Sequence, residues 1–374
     1  YFERRELMFY HLLYPLAKYS IVFNVFRYVT FRSIGAFITS LLISLFLGPI
    51  FIRMLKKMSA VETIDEDLPE RHRLKQGTPT MGGIIILVSL LISSLLWNVL
   101  TNPAILMIIL TTVWLGILGF LDDYLKNFVK AKKGLIPRYK LLGQLSVGLI
   151  LTLAIYYSSS VSENITALQI PFFKNLIIPL GWVFIPFAVL FITGTSNAVN
   201  LTDGLDGLAA GTLTFSFLGL GVMSYLKGNY IAADYLNLEF ISSAGELTVF
   251  ISAIMGTLIG FLWFNSYPAQ VFMGDTGSLT LGGIAAVISI LLKEEIFFLI
   301  LGFIFVYEAL SVIIQRSWFK YTKRKYGQGH RVFLCAPVHH HYELKGIHES
   351  KIVMRFYIVA ALLTAVGLST IKLR

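Results

Sequence analysis

The chain has 374 residues, of which 56% are hydrophobic and 14% charged, with a mean hydropathy of +0.73 and a net charge of +10. Too few polar groups remain to cover a water-soluble surface, so a soluble domain is excluded. The basic excess lacks the interleaved basic and aromatic pattern of a nucleic-acid reader, and it reads instead as membrane topology plus attraction to anionic lipid or substrate.

The first 32 residues mix charge with short apolar patches, and no cleavable signal peptide is expected there. Residues 7–31 are predicted to form an interfacial helix with Arg27 and Arg32 at headgroup level. From residue 33 to 374 a single transmembrane domain is expected. Uncharged stretches at 33–52, 141–162, 175–202 and 247–274 each reach the roughly 20 residues that a bilayer-spanning helix needs. Residues 79–121 carry no charge, are too long for one span and divide naturally at 98–103. The count comes to about ten spans, beginning near residues 33, 79, 103, 141, 179, 205, 245, 278, 296 and 352. The fold class is therefore all-α and polytopic, because helices satisfy their own backbone in lipid. Of the 31 Lys and Arg residues, 20 fall in the loops after spans 1, 3 and 9, on the face that also holds nearly all the candidate chemistry. That bias predicts this face to be cytoplasmic. The single Cys335 excludes an intramolecular disulfide.

Five loops on that face carry the chemistry. The first runs from acidic residues into Arg71-His72-Arg73-Leu74-Lys75 and then Gly77-Thr78-Pro79-Thr80-Met81-Gly82-Gly83. Pro79 is placed to open a helix, and Lys75 beside backbone and hydroxyl donors suits an anion. Asp122-Asp123 closes the third span. Two adjacent carboxylates oppose the dipole of their own helix, which points to a cation or another partner. Lys126, Lys130, Lys132 and Lys133 follow, as suited to snorkelling toward lipid as to binding substrate. In the string 197–207, Asn200, Asp203 and Asp206 recur every three residues and share a face if helical. Asn265 precedes Phe272, Gly274, Asp275 and Ser278. There a carboxylate between glycines can approach Mg²⁺, and an aromatic face can stack a base or simply sit at the membrane interface. The last loop holds His339-His340-His341. Neighbouring side chains diverge, so one or two of the three are expected to face an anionic substrate rather than all three a metal. Glu308, an acid inside a span, and Gln315 two turns on share a helix face, which either lines a cavity or is buried and hydrogen-bonded.

Taken together, Lys75 with 77–83, then 119–123, 197–207, 272–278 with Leu281-Gly282-Gly283, and 337–343 resemble the polyprenyl-phosphate N-acetylhexosamine-1-phosphate transferases. The Thr-Pro-Thr-Met-Gly-Gly string and the triple His after Ala-Pro resemble the MraY branch, the phospho-N-acetylmuramoyl-pentapeptide transferases. The resemblance spans roughly residues 33–371. One departure is that 318–331 is longer than the family pattern, which leaves the shape of that loop open.

The resemblance implies a ten-span, homodimeric enzyme of the bacterial inner membrane. Such an enzyme moves phospho-MurNAc-pentapeptide from UDP-MurNAc-pentapeptide to undecaprenyl phosphate with Mg²⁺, forming lipid I and UMP. Asp122, Asp123, Asp275 and His339 are then the expected catalytic groups. Asp275 is the main Mg²⁺ ligand, with Asn200 and the Asp122/Asp123 pair as further candidates. Asp203, Asp206, Asn265, Phe272 and Gly274 form the uridine end. Lys75, Thr80, Gln315, His339 and His340 meet phosphate, sugar or peptide, and Ser278 and His341 complete the substrate-binding set. A UbiA-type prenyltransferase would need Asp-Asp-x-x-Asp motifs, whereas position 126 is Lys. An ion-coupled transporter would place its ionisable groups near mid-span. A sibling acting on UDP-GlcNAc is the nearer alternative, with the His run as the discriminator.

Overall fold

The computed structural model describes residues 13–58, 77–129, 134–157, 166–171 and 177–373. The long helices in chain order are α1 (Val29–Lys57), α2 (Gly83–Trp97), α3 (Pro103–Asn127), α4 (Pro137–Tyr157) and α5 (Phe184–Thr202). They continue with α6 (Leu208–Lys227), the short α7 (Tyr230–Leu236), α8 (Ala244–Asn265) and α9 (Gly274–Leu291). The last four are α10 (Glu295–Leu301), α11 (Phe303–Tyr326), α12 (Val338–Leu344) and α13 (Glu349–Ser369). A two-stranded antiparallel hairpin, β1 (Ala167–Gln169) with β2 (Ile177–Pro179), pairs Leu168 with Ile178 between α4 and α5.

Among the described residues eight helices are long and apolar enough to cross a membrane, and the pair α10 and α11 makes a ninth. That pair is bent by 82° at Gly302, so the expected ninth span is broken rather than straight. The second expected span corresponds to α2, which has only 15 residues. It is short because the chain before Gly83 is spliced to another loop instead of opening the helix at Pro79. The break expected at 98–103 is present. Asn102 caps α3 by accepting the Ala104 N–H at 2.9 Å, with Pro103 in the first turn where its missing N–H costs nothing.

α9 is the centre of the bundle. Every residue from Asp275 to Leu291 is buried, packed against α3 and α5 with α2 also in contact. Such a helix needs small residues where backbones cross. A Cβ on Gly83 would collide with the backbone of Gly277, so glycine is required at that contact. α8 packs on α1 and α6. A smaller core, formed by Leu205, Leu208, Ile304, Val338, Ile352 and Phe356, ties the start of α11 to α12, α13 and the loop between α5 and α6.

The interfacial helix expected at 7–31 is not formed in its described part. Tyr14–Lys18 and Ile21–Arg27 are separate 3₁₀ turns, and α1 starts at Val29. Arg32 is turned inward rather than out to the surface. It is 3% exposed and clasps Glu246 with its two terminal guanidinium nitrogens, at 2.6 and 2.9 Å. Glu246 also accepts the Val99 N–H at 3.0 Å, and its carbonyl takes the Asn98 amide at 2.9 Å. One bidentate pair thus joins α1, the α2–α3 turn and α8 at the end away from the motif loops. Two more pairs lie at that end, Lys227 with Glu294 at 2.7 Å and Lys293 with Glu239 at 3.0 Å. Breaking a buried pair by removing one partner leaves an uncompensated charge. Glu246→Ala is therefore expected to destabilise the detergent-solubilised protein by about 3–5 kcal/mol; an unchanged unfolding temperature would show that Arg32 finds another partner.

Candidate active site

The site forms where the last turns of α3 meet the first turn of α9. Gly119 makes the approach possible, since a Cβ there would strike the carbonyl of Asp275. Asp123, 3% exposed, then turns its carboxylate to the start of α9. It accepts the backbone N–H of Asp275 at 3.1 Å, that of Thr276 at 2.9 Å and the Thr276 hydroxyl at 2.6 Å. The carboxylate that opposes the dipole of its own helix complements the positive end of the next one. Gly274, at φ +73°, makes the turn into α9 beside it. Asp123 thereby caps α9, with both carboxylate oxygens engaged by its first turn.

Asp122 and Asp275 behave differently. Asp275 Oδ2 lies 2.5 Å from Lys140 Nζ and 2.9 Å from Lys126 Nζ. Asp122 Oδ2 lies 2.6 Å from Lys126 Nζ and 3.3 Å from Lys140 Nζ. Two carboxylates thus share two ammonium groups, and the four charges cancel. Asp122 Oδ1 also accepts the Leu135 N–H at 2.6 Å, which brings the segment before α4 against the site. The Lys126 side chain is 41% exposed while Asp122 is 2% exposed, so the cation is the partner that solvent can reach and exchange. Lys126 had two equal readings from sequence; its contacts place it on the carboxylates. Lys140 was missed entirely. The one available signal was its position in the first turn of a helix opened by Pro137, where a cation opposes the dipole and needs another reason.

Asn200, at the end of α5, donates its amide to Asp275 Oδ1 at 2.7 Å and to Ser278 Oγ at 2.8 Å. It presents its amide donors there and so orients the Asp275 carboxylate. For Mg²⁺ the remaining donors fit. No group of three or more His, Cys, Asp or Glu able to hold a metal occurs among the described residues. Mg²⁺ keeps waters and takes one or two carboxylates together with phosphate oxygens. Asp275 with Asp122 beside it supplies such a set, all hard oxygen.

The neighbouring loops brace this cluster. The 77–83 string lies along 272–273: Phe272 N–H to Pro79 O at 2.9 Å, Gly82 N–H to Phe272 O at 2.8 Å, Gly83 N–H to Met273 O at 2.8 Å. Thr80 is 7% exposed within it; Lys75 and the Lys130–Lys132–Lys133 group lie outside the described residues. The helical face expected from Asn200 to Asp206 ends at Thr202. Asp203 is half-buried at the helix terminus, whereas Asp206 is 3% exposed and accepts the Ala269 N–H at 2.9 Å. Asn265 accepts the Gly207 N–H at 3.1 Å and donates to Val271 O at 2.9 Å. Asp206 and Asn265 therefore help to hold two loops together. Asp203 and Phe272, both half-buried, remain at the rim.

The His loop changes most against expectation. Gln315 donates to Phe333 O at 3.0 Å and accepts the Val332 and Phe333 N–H groups at 2.9 Å, so it braces the chain before α12. His339 is fully buried, with Nδ1 3.2 Å from Glu308 Oε2 and Nε2 against Gly204. His339, expected at the substrate, thus faces inward between Glu308 and Gly204. His340 pairs with Glu343 at 2.8 Å, and His341 Nδ1 accepts the Leu334 N–H at 3.1 Å. Burial, and then Lys345, hold the His341 pKa below its ordinary value, which suits an acceptor nitrogen. The segment 318–331 is mostly helix, because α11 continues to Tyr326 before Gly327 turns the chain.

If Asp123 acts as the cap of α9, Asp123→Ala should lower the unfolding free energy by about 2 kcal/mol and Thr276→Ala by about 1 kcal/mol. Thermal unfolding in detergent checks both, and a stable Asp123→Ala protein would refute the cap.

Comparison with known proteins follows the same lines. A model of the glycosyl transferase family 4 matches residues 105–293, and a phospho-N-acetylmuramoyl-pentapeptide-transferase signature matches residues 75–87. A protein of that name from Pelodictyon phaeoclathratiforme is 49% identical over 351 residues, covering 94% of this chain and 95% of the relative. Another from Desulfotalea psychrophila is 47% identical over 367 residues, covering 98% and 100%. One from Flavobacterium psychrophilum is 46% identical, with 98% and 100% covered. With this identity along nearly the whole of both chains, and with a polytopic helical fold that gathers the family's acidic loops at one end, the chain belongs to the phospho-N-acetylmuramoyl-pentapeptide-transferase family.

Proposed function

We propose that the protein transfers phospho-MurNAc-pentapeptide from UDP-MurNAc-pentapeptide to undecaprenyl phosphate, releasing UMP and forming lipid I for peptidoglycan synthesis, cell shape and division. It would do so as a homodimer in the bacterial inner membrane, with the motif face toward the cytoplasm. The observation that carries this reading is the balanced cluster of Asp122, Asp275, Lys126 and Lys140 at the crossing of α3 and α9.

The reaction exchanges one pyrophosphate for another, so its obstacle is electrostatic: an anionic phosphate must approach a diphosphate that is itself negative. Mg²⁺, when bound by Asp275 and Asp122 with the diphosphate, supplies charge neutralisation and a fixed geometry. Lys126 and Lys140, freed in part from the carboxylates, then have phosphate oxygens as new partners. Asn200 and Ser278 hold the Asp275 carboxylate in place. Asp203 and Phe272 at the rim suit the uridine, and His340 and His341 the sugar or peptide. A phosphate monoester has a second pKa near ~6 and is mostly dianionic at neutral pH. Proton removal by Asp122 therefore has little left to contribute, and positioning with charge neutralisation dominates.

UMP release by the purified protein with undecaprenyl phosphate and Mg²⁺ is expected with UDP-MurNAc-pentapeptide and not with UDP-GlcNAc. Release with the latter would move the chain to a sibling activity. Asp122→Asn should keep its deficit at high pH; recovery of most activity there would reinstate it as a general base. Lys140→Met leaves two carboxylates on one cation, and kcat/KM should fall by about 100-fold or more. A loss under threefold would remove Lys140 from the site.

A further inference from the structure

Glu308 lies on the bent span, six residues past Gly302, and is fully buried. Its two carboxylate oxygens and both ring nitrogens of His339 are buried without a hydrogen bond, and Oε2 stands 3.2 Å from Nδ1, close enough to pair but not aligned. A buried carboxylate without a hydrogen bond is costly, and among the described residues His339 is the ion-pair partner that Glu308 has. On its far side the His339 ring meets Gly204, where any Cβ would overlap Nε2. The contact Glu308–His339–Gly204 thus runs unbroken from α11 to the loop that bears Asp203 and Asp206. Apolar packing follows the same route, since Ile304, Val338 and Leu205 share one small core. Tyr307 and Tyr342, with hydroxyls 3.3 Å apart, add a second link between α11 and α12.

We propose that Glu308 is a positioning residue: it holds the buried His339 ring against Gly204 and so fixes the 203–206 loop. The bent span thereby sets the shape of the rim beside the carboxylate cluster without touching substrate. The consequence for nucleotide affinity rests on the proposed function; the consequence for the loop does not.

Amide hydrogen exchange over 203–208 and calorimetric UMP binding, both on the full detergent-solubilised chain, test it. Glu308→Ala should raise exchange over that segment and weaken UMP about tenfold, the scale of a small misplacement. Glu308→Gln keeps the shape and an acceptor oxygen, and should stay within about threefold on both readouts. Gly204→Ala approaches the ring from the other side and should reproduce the loss, so it carries the same prediction if Glu308→Ala does not fold. The double variant should be no worse than the worse single, as for two ends of one contact. Unchanged exchange in both Glu308→Ala and Gly204→Ala would overturn the proposal. So would equal loss of turnover in Glu308→Gln and Glu308→Ala with exchange unmoved, which would put the charge itself in the chemistry. Raised exchange with unaltered UMP affinity supports the role of Glu308 and removes the uridine assignment instead.

Discussion

The seating of the Asp123 carboxylate on the first turn of α9 is the interaction from which the rest of the site follows. α9 is the innermost helix, and an N-terminus buried among apolar neighbours would leave backbone N–H groups without acceptors. Asp123 supplies the acceptor from the end of α3, and by doing so brings Asp122 and Asp275 to one point. Neither carboxylate could stand so close to the other in a membrane protein without cations, and Lys126 and Lys140 provide them from two directions. Each step is forced by the one before: a buried helix start, its cap, a crowded pair of acids, two lysines.

The polar groups then fall into two tiers by what their hydrogen bonds are used for. Asp123, Asp206, Asn265 and Gln315 spend theirs on backbone N–H and carbonyl groups of neighbouring loops. Asp122 and Asp275 each give one oxygen to a neighbouring amide but turn the other to Lys126 and Lys140, and those charges are ones that a phosphate and a metal ion can replace. The first tier keeps irregular backbone satisfied at the membrane boundary, where a loop without partners would be costly. That is why polar residues are so dense in the motif loops: most of them fold the loops, and few remain for chemistry.

The sequence shows the two tiers as one. Composition and uncharged run length are enough for the polytopic helical class, since a run of about 20 apolar residues admits few alternatives. The clustering of acidic loops at one end also follows from alternation of spans. What a lone residue faces is not written in its spacing. Asp122 and Asp123 are adjacent and chemically identical, yet helix geometry sends one to the lysines and the other to α9. The three-residue recurrence from Asn200 to Asp206 looked helical because nothing in it marks Thr202 as the last helical residue. Lys140 had no motif around it, and the break at Gly302 is a tertiary accommodation in a sequence that is apolar on both sides.

That break has a geometric consequence for the surrounding bilayer. α10, at about 10 Å, and α11, at about 36 Å, stand at 82° to one another, so both cannot run along the membrane normal. With one arm along the normal the other lies near the membrane plane, where it takes up more area at its own depth than an upright span does. Tyr326 and the basic stretch Lys323-Arg324-Lys325 end the longer arm on the side of the motif loops. The bend thus makes the area that this pair takes from the bilayer change with depth, so its fit depends on how tightly lipids pack around the tilted arm.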